Sequence, residues 1–170
     1  MSALKKDLGR LVNRDVGIYA IIKYYFLHMG FRAVALYRIS DYFSSRKLYL
    51  LAKLIRNHNI KCTGAEFCLG CKIGPGLVIQ HPNGIVIGGN TYIGINATIL
   101  QQVTCGENYK DDRHDYPYIG DNVVIGAGAK VLGGVKIGDN CKIGANSVVV
   151  HSFPDGSTIA GIPGRRLNRD

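Results

Sequence analysis

A six-residue period between Tyr118 and Val150 constrains the fold more than any other feature of the sequence. Every sixth residue is a β-branched aliphatic, at Ile119, Ile125, Val131, Ile137, Ile143 and Val149. Glycine follows four of the six, and small or turn-forming residues recur at a fixed phase between them. A period of six matches neither the 3.6 residues of a helical turn nor the two of a simple strand. It predicts a solenoid of short strands, in which one aliphatic side chain per repeat points inward and stacks on its counterpart one coil away.

Three segments in and after this stretch resemble the hexapeptide-repeat acyltransferases. They are residues 125–130 (Ile-Gly-Ala-Gly-Ala-Lys), 143–149 (Ile-Gly-Ala-Asn-Ser-Val-Val) and 160–165 (Ala-Gly-Ile-Pro-Gly-Arg). The resemblance implies a left-handed parallel β-helix of triangular cross-section, with three hexapeptides in each coil. We therefore expect a mainly β fold, with the β-helix acyltransferase domain over residues 60–160 and a short tail over residues 161–170.

Residues 1–59 differ in composition from the rest of the chain and are predicted to form a short α-helical N-terminal segment. They contain no proline and three glycines, and their apolar residues recur at helical spacings. We expect one helix boundary at Gly30 and another at Ser44, with the last helix ending near Asn57. Helices this apolar are not stable alone, so the segment is expected to pack against another part of the protein.

The positive charge is concentrated in the first part of the chain. Residues 1–60 hold 11 Lys and Arg against 3 Asp, whereas residues 61–170 hold 10 Lys and Arg against 9 Asp and Glu. A basic helical segment is either a solvated face or a surface for peripheral contact with a membrane or another anionic partner. No nucleic-acid-binding motif accompanies this charge, so we expect no nucleic-acid partner.

The cysteines and the apolar segments favour a cytoplasmic protein. The five cysteines include a single C-x-x-C pair, Cys68 and Cys71. Because no second pair exists, we interpret all five as buried or half-buried thiols of a reducing compartment, and we expect no metal. The first residues lack the apolar stretch of a signal peptide, and charged residues interrupt the longest apolar region, residues 16–34.

Two interruptions of the six-residue period each contain a histidine. Two extra residues follow Ile79, and 14 residues separate Cys105 from Ile119 where 12 would keep the phase. Insertions in a solenoid are expelled as loops, and loops on a rigid scaffold are where functional sites are built. His81 and His114 are therefore candidate site residues.

A second resemblance narrows the family. Residues 13–15 (Asn-Arg-Asp), 30–31 (Gly-Phe) and 35–39 (Ala-Leu-Tyr-Arg-Ile) resemble, in spacing and sequence, the end of the helical domain of serine acetyltransferases. The resemblance implies that His81 is the base that removes the proton from an acceptor hydroxyl. An unperturbed histidine has a pKa of about 6.5 and is mostly neutral at pH 7, as a base must be. From its residue type alone, His81 could equally be a turn histidine that makes local hydrogen bonds.

The same resemblance implies roles for four residues around the acceptor. Glu66 lies 15 residues before His81, where the family has an Asp that orients the base. Asp15 matches the family's Asp that binds the serine ammonium group. Arg113 and His114 resemble the residues that contact the serine carboxylate. Glu66 as an ordinary surface carboxylate and Asp15 as a helix cap remain open alternatives.

Two departures from the family's pattern affect the acceptor site. Gln80 stands where the family has an Asp that also helps to hold the serine ammonium group, so one charge-assisted contact is lost. Asp115 and Tyr116 separate His114 from Pro117, whereas the family's histidine precedes its proline directly. Either the loop is rearranged or the carboxylate contact is missing.

Five residues are expected to bind the cosubstrate, acetyl-CoA, by resemblance to the family. Ala127 and Ala145 lie 18 residues apart on one phase and would line a groove for the pantetheine arm. Gly106 would allow close backbone approach near the thioester. Lys142 and Arg165 would meet the phosphates of CoA, although Lys142 could also be an ordinary outward lysine.

The sequence therefore predicts an acetyl-CoA-dependent O-acetyltransferase whose acceptor is most similar to serine. Two alternatives remain open, namely acetylation of a sugar hydroxyl in glycan assembly and a catalytically idle scaffold. Most of the family's longer helical domain is missing, so we expect a homotrimer, and sedimentation that showed a hexamer would contradict this. The family's flexible tail with a terminal Ile is also missing, so we expect no complex with cysteine synthase.

Overall fold

The structure, a computed structural model, describes residues 2–108 and 115–167. Four helices come first: α1 (Ser2–Val12), α2 (Ile18–Leu27), α3 (Met29–Ser45) and α4 (Tyr49–Thr63). The strands that follow are β1 (Glu66–Phe67), β2 (Lys72–Ile73), β3 (Val78–Ile79), β4 (Val86–Ile87), β5 (Tyr92–Ile93), β6 (Thr98–Ile99), β7 (Thr104–Gly106), β8 (Tyr118–Ile119), β9 (Val124–Ile125), β10 (Lys130–Leu132), β11 (Lys136–Ile137), β12 (Lys142–Ile143), β13 (Val148–Val149), β14 (Thr158–Ala160) and β15 (Arg165–Arg166). None of the helices in the described ranges is long and apolar enough to cross a membrane.

The strands form three sheets, and each sheet is one face of a parallel β-helix. Face 1 contains β1, β4, β7, β10 and β13 in spatial order, and face 2 contains β2, β5, β8 and β11. Face 3 contains β3, β6, β9, β12 and β14, with β15 pairing antiparallel to β14 at its end. Along most of the chain each strand pairs with the third strand after it, so three hexapeptides make one coil. The predicted fold class is confirmed.

The aliphatic residues of the six-residue period form the core. The six residues that revealed the period, Ile119, Ile125, Val131, Ile137, Ile143 and Val149, are all at most 2% exposed. They stack in register on their counterparts in the neighbouring coils, as Ile119 does between Ile93 and Ile137. Burial of each such side chain stabilises the fold by about 1.5–3 kcal/mol before conformational entropy is counted.

Asparagines at the corner between faces 2 and 3 explain in part why turn-forming residues recur at a fixed phase of the six-residue period. Asn96, Asn122 and Asn140 have φ values of 58°, 56° and 58°, in the left-handed region that asparagine adopts more readily than most residues. Their side chains also form a ladder, in which Asn96 Nδ2 donates to Asn122 Oδ1 at 3.1 Å and Asn122 Nδ2 donates to Asn140 Oδ1 at 3.2 Å. Each position therefore needs both a tolerant backbone and an amide side chain.

The helix boundary predicted at Gly30 is present but lies two residues earlier, at His28. Helix α3 begins at Met29, after His28, whose Nδ1 accepts a hydrogen bond from the backbone N–H of Phe31 at 3.1 Å and caps the helix. Glycine is required at position 30 for a different reason, because a Cβ there would overlap the carbonyl oxygen of Ile79. The missing side chain lets the first turn of α3 lie directly against the end of β3.

The predicted helix start at Ser44 was wrong. Helix α3 continues to Ser45, whose hydroxyl donates back to the carbonyl of Tyr42 at 2.8 Å instead of capping a new helix. The turn comes at Lys47, with a φ of 64°, and the next helix, Tyr49–Thr63, extends past the predicted end near residue 57.

The second interruption of the period is longer than the spacing suggested. Strands β7 and β8 lie on the adjacent faces 1 and 2, so only one six-residue step, and not two, connects Cys105 to Ile119. The insertion therefore has eight residues beyond that step. Residue counts alone cannot distinguish one step with a long loop from two steps with a short loop, because both keep a β-branched residue inward.

A buried carboxylate on α1 fastens the helical segment to the β-helix. Asp7 is fully buried, and its two carboxylate oxygens accept two hydrogen bonds from the guanidinium of Arg38, each at 3.0 Å. Its Oδ1 also accepts from the backbone N–H groups of Gly76 and Leu77 at 2.7 and 2.8 Å. Arg38 in turn donates to the carbonyl of Gly74 at 2.7 Å. One carboxylate thus joins α1, α3 and the first coil.

The cysteines are unpaired thiols, as predicted. Cys71, Cys105 and Cys141 are buried, whereas Cys62 and Cys68 are half-buried. Burial raises the pKa of Cys71 and of Cys105 to about 12. Because the thiolate is the reactive form, these protonated thiols act as small apolar side chains of the core.

Candidate active site

One corner of the β-helix, between faces 3 and 1, brings together predicted residues from distant parts of the sequence. The position two residues after each inward isoleucine of face 3 occupies this corner, and the strands of face 3 stack in register. We name this corner the corner column: it consists of Gln101, Ala127 and Ala145 on successive coils, with Gly161 at one end. At the other end lies His81, in the longer turn of the first coil, where the Gln102 N–H donates to the Asn83 carbonyl. The candidate base and the two candidate groove alanines therefore share one edge of the molecule.

Backbone hydrogen bonds tie consecutive coils together along the corner column. The Gly128 N–H donates to the Gln101 carbonyl, and the Asn146 N–H donates to the Ala127 carbonyl, both at 2.8 Å. Coils are spaced by about 4.8 Å, so the backbone at Gln101 is about 10 Å from that at Ala145. Ala127 is half-buried and Ala145 is exposed, and Gln101 lies between these alanines and the coil of His81.

Two predicted phosphate ligands lie near the other end of the corner column. Arg165 in β15 is the register partner of Ala160 in β14, directly before Gly161, and its side chain is exposed. Lys142 is exposed on face 3, in the coil of Ala145. Lys142 and Arg165 therefore lie at least three coils away from His81.

His81 itself is exposed and follows Gln80 at the start of the first interruption. Among the residues that the structure describes, it makes no hydrogen bond. A cleft of about 390 Å³ opens beside it and is lined by Leu11, Val12, Arg14, Tyr24, His28 and Gln80. The pKa of His28 is lowered by burial first, and also by its proximity to His81. Neutral His28 uses Nδ1 as an acceptor for the Phe31 N–H, so its proton lies on Nε2.

Glu66, the predicted orienting carboxylate, begins β1 on face 1. Its Oε1 accepts a short hydrogen bond from Arg56 Nη2 and another, at 3.4 Å, from the Cys68 thiol. Within the described part of the chain no hydrogen bond joins Glu66 to His81. The orienting role stays a prediction, and it would require Glu66 to share or release Arg56.

Asp15, the predicted ammonium ligand, lies in the connection between α1 and α2. It is exposed, and it lines a second cleft of about 850 Å³ at the corner that carries Asn96 and Asn122. Arg14 lines both this cleft and the cleft beside Gln80. The structure thus places Asp15 next to the cleft of the candidate base but not in it.

The remaining predicted residues lie at or beyond the second interruption. Gly106 ends β7 at the far side of face 1 from the corner column. A Cβ on Gly106 would meet no atom within 4 Å, so packing inside the chain does not require glycine there. Arg113 and His114 lie outside the described residues. Tyr116 follows them with its ring against Gly88.

Sequence reasoning missed five of the six residues that line the cleft beside His81, among them the polar residues Arg14, Tyr24 and His28. Arg14 was within reach, because it belongs to the same Asn-Arg-Asp segment as Asp15. Tyr24 and His28 carried no signal, because Tyr24 stands in the apolar helix α2 and His28 directly follows it, and the apolar pattern there gave no hint of a cleft. Their position depends on how α2 and α3 cross the end of the first coil.

Three comparisons with known proteins agree on one kind of relative. Residues 116–151 match the family model described as bacterial transferase hexapeptide (six repeats). The chain is 38% identical over 174 residues to the serine acetyltransferase of Bacillus pumilus (strain SAFR-032), and the match covers 98% of this chain and 80% of that protein.

Solved structures give the same result in three dimensions. The serine acetyltransferase from Vibrio cholerae O1 biovar El Tor N16961 has a TM-score of 0.88 and 33% identity, covering 99% of this chain and 66% of that chain. A serine acetyltransferase in complex with CoA has a TM-score of 0.86 and 33% identity, covering 98% of this chain and 68% of that chain. This chain thus spans about two thirds of the length of these solved relatives.

Proposed function

The chain belongs to the serine acetyltransferase family, and from that membership we propose that it transfers the acetyl group of acetyl-CoA to the hydroxyl of serine. The corner column carries this proposal, because a candidate base, two small residues and exposed cations follow one another along one corner of the β-helix. His81 stands at the acceptor end, and Arg165 at the end where the nucleotide of CoA would lie.

The proposed reaction is direct transfer between two bound substrates. His81 accepts the proton of the serine hydroxyl as the oxygen attacks the carbonyl carbon of the thioester. The tetrahedral intermediate then expels the CoA sulfur, which takes the proton from His81 as the thiol product forms. Binding both substrates along one corner supplies the proximity on which such a transfer depends.

The fit of acetyl-CoA rests on size and charge. Alanine at positions 127 and 145 leaves room for an extended pantetheine arm along the corner, where a β-branched side chain would fill the groove. Lys142 and Arg165, both exposed, supply cations for phosphate groups at the end away from His81. Gly106 has open space beside its Cα, although it lies at the far side of face 1.

We expect Ala145→Val to raise the KM for acetyl-CoA by about tenfold or more, because the larger side chain occupies the groove; a loss of about 1.4 kcal/mol corresponds to that factor. The side chain at 145 is exposed, so the fold should tolerate the change. Initial rates at varied acetyl-CoA, with serine held constant, measure the effect.

Ala145→Ser is the matched control, because serine is nearly as small as alanine, and its KM should stay close to that of the parent. Equal KM values for the valine and serine variants would contradict the proposal that acetyl-CoA binds along this corner. A changed thermal midpoint in the valine variant alone would show that the side chain disturbs the coil instead.

The acceptor is tested by following CoA release from acetyl-CoA with L-serine and, in parallel, with hexoses and nucleotide-linked sugars. Saturable release with serine supports the proposal. Release with sugars alone would contradict it and favour glycan acetylation, for which the neutral Gln80 beside the base is the specific reason. No release with any acceptor, together with no binding of acetyl-CoA in calorimetry, would favour a scaffold.

A further inference from the structure

The polar side chains that line the cleft beside His81 are all able to donate hydrogen bonds. They are Arg14, Tyr24, His28 and Gln80, and the apolar floor of the cleft is formed by Leu11 and Val12. Each of the four polar side chains can donate a hydrogen bond, and only the glutamine amide and the tyrosine hydroxyl also have ready acceptor atoms. Among the residues that the structure describes, no carboxylate lines the cleft. The lining therefore suits an anionic group better than an ammonium group.

Arg14 is the one permanently charged residue among those lining residues. Its guanidinium is exposed, and within the described residues it has no hydrogen-bond or ion-pair partner. His28 is held neutral by burial, and its Nε2–H is left as a donor because Nδ1 caps α3. Arg10, four residues before Arg14, is by contrast occupied, because it donates to the carbonyls of Gly76 and Ala97 at 2.8 and 2.9 Å.

We propose that this cleft binds the carboxylate of the amino-acid acceptor, with the Arg14 guanidinium as its ion-pair partner. The inference rests on the proposed function, since it names where the acceptor of that reaction is held. Serine carries its hydroxyl and its carboxylate on neighbouring carbons, so the carboxylate must bind close to the base. The cleft begins at Gln80, the residue directly before His81.

Geometry and charge both fit a zwitterionic acceptor. A guanidinium can hold a carboxylate through two parallel hydrogen bonds, which orients the substrate as well as binding it. Asp15, the next residue along the chain, lines the adjoining cleft and supplies the opposite charge. The connection between α1 and α2 thus presents one cation and one anion side by side, and Arg14 is a specificity-determining residue for amino acids.

The test compares L-serine with L-serinamide, which keeps the hydroxyl and the ammonium group but replaces the carboxylate with a neutral amide. We expect Arg14→Gln to lower kcat/KM for serine by about 10- to 100-fold, the range for hydrogen bonds to charged groups. Activity with serinamide should change by less than about threefold, because that substrate never used the ion pair. Lys5→Gln is the matched control, since it removes one exposed charge from α1 on a residue that lines only the other cleft.

Three results would overturn the inference while the proposed function stands. In the first, Arg14→Gln behaves like Lys5→Gln with serine. In the second, serine and serinamide lose activity equally, which would indicate a structural effect. In the third, Arg113→Gln and not Arg14→Gln removes the preference for serine. Failure of the proposed function itself has a different signature, namely no serine-dependent CoA release by the unmodified protein.

Discussion

Replacement of His81 by alanine is expected to lower kcat for acetyl transfer by about a hundredfold or more, the usual contribution of a general base. Serine's hydroxyl is a poor nucleophile until its proton is removed, and no other histidine of the described residues lies in the corner column. His81 is exposed and makes no hydrogen bond in the described part of the chain, so the variant should fold normally. Steady-state CoA release measures the loss, and calorimetry should give an unchanged Kd for acetyl-CoA.

His151→Ala is the control for this variant. His151 is exposed and stands two residues after Val149, the same phase as His81 but at the corner that follows face 1. Its replacement should leave kcat unchanged. Near-normal turnover in His81→Ala, or an equal loss of kcat in both variants, would contradict the assignment of His81 as the base. An altered oligomeric state of His81→Ala would show that the residue acts through assembly instead.

Replacement of Asp7 by alanine is expected to destabilise the protein by about 3–5 kcal/mol, as breaking a buried ion pair generally does. The Asp7 carboxylate is fully buried and pairs with Arg38, whose side chain is 12% exposed. Its removal leaves the guanidinium without its counter-charge and the backbone N–H groups of Gly76 and Leu77 without an acceptor. Urea denaturation followed by circular dichroism should show a lower midpoint with an unchanged slope.

Asp15→Ala makes the same chemical change at an exposed site and should alter stability by no more than about 0.5 kcal/mol. Equal midpoints for the Asp7 and Asp15 variants would show that the buried pair contributes nothing net. Because Asp7 joins α1 and α3 to the first coil, loss of this pair should also loosen the helical segment before the β-helix. In Asp7→Ala, faster proteolysis of the helical segment than of the β-helix would show that the helical segment loosens first.

The β-helix could be predicted in detail because its determinants are local and repeated. Each inward isoleucine or valine and each turn residue is specified within six positions, and the same requirement recurs in every coil. The helices were predicted less well, because their boundaries depend on contacts outside the helix. Gly30 was read as a break, although tertiary packing against Ile79 is what requires glycine there.

The candidate site was likewise predicted only where local sequence or motif resemblance specifies it. Ala127 and Ala145 could be singled out because they share a phase, and His81 because it lies in an interruption of the period. Family resemblance pointed to all three, and they lie at the same corner of the β-helix. The partner of Glu66 could not be predicted, because Arg56 comes from α4 and meets it only when that helix packs against the first coil. The cleft residues Tyr24 and His28 were likewise invisible in the sequence.

The sequence by itself thus determined a solenoid of short strands over the regular part, which follows from periodicity, a property of neighbouring residues. Resemblance of its motifs to the family added the number of hexapeptides in each coil and the choice of His81 as the candidate base. Only the tertiary structure decided that the second insertion follows a single step and that Asp7 links three elements. It alone placed Arg14 between two clefts. Those features arise where segments distant in sequence meet, and no short-range pattern encodes which side chains will face each other there.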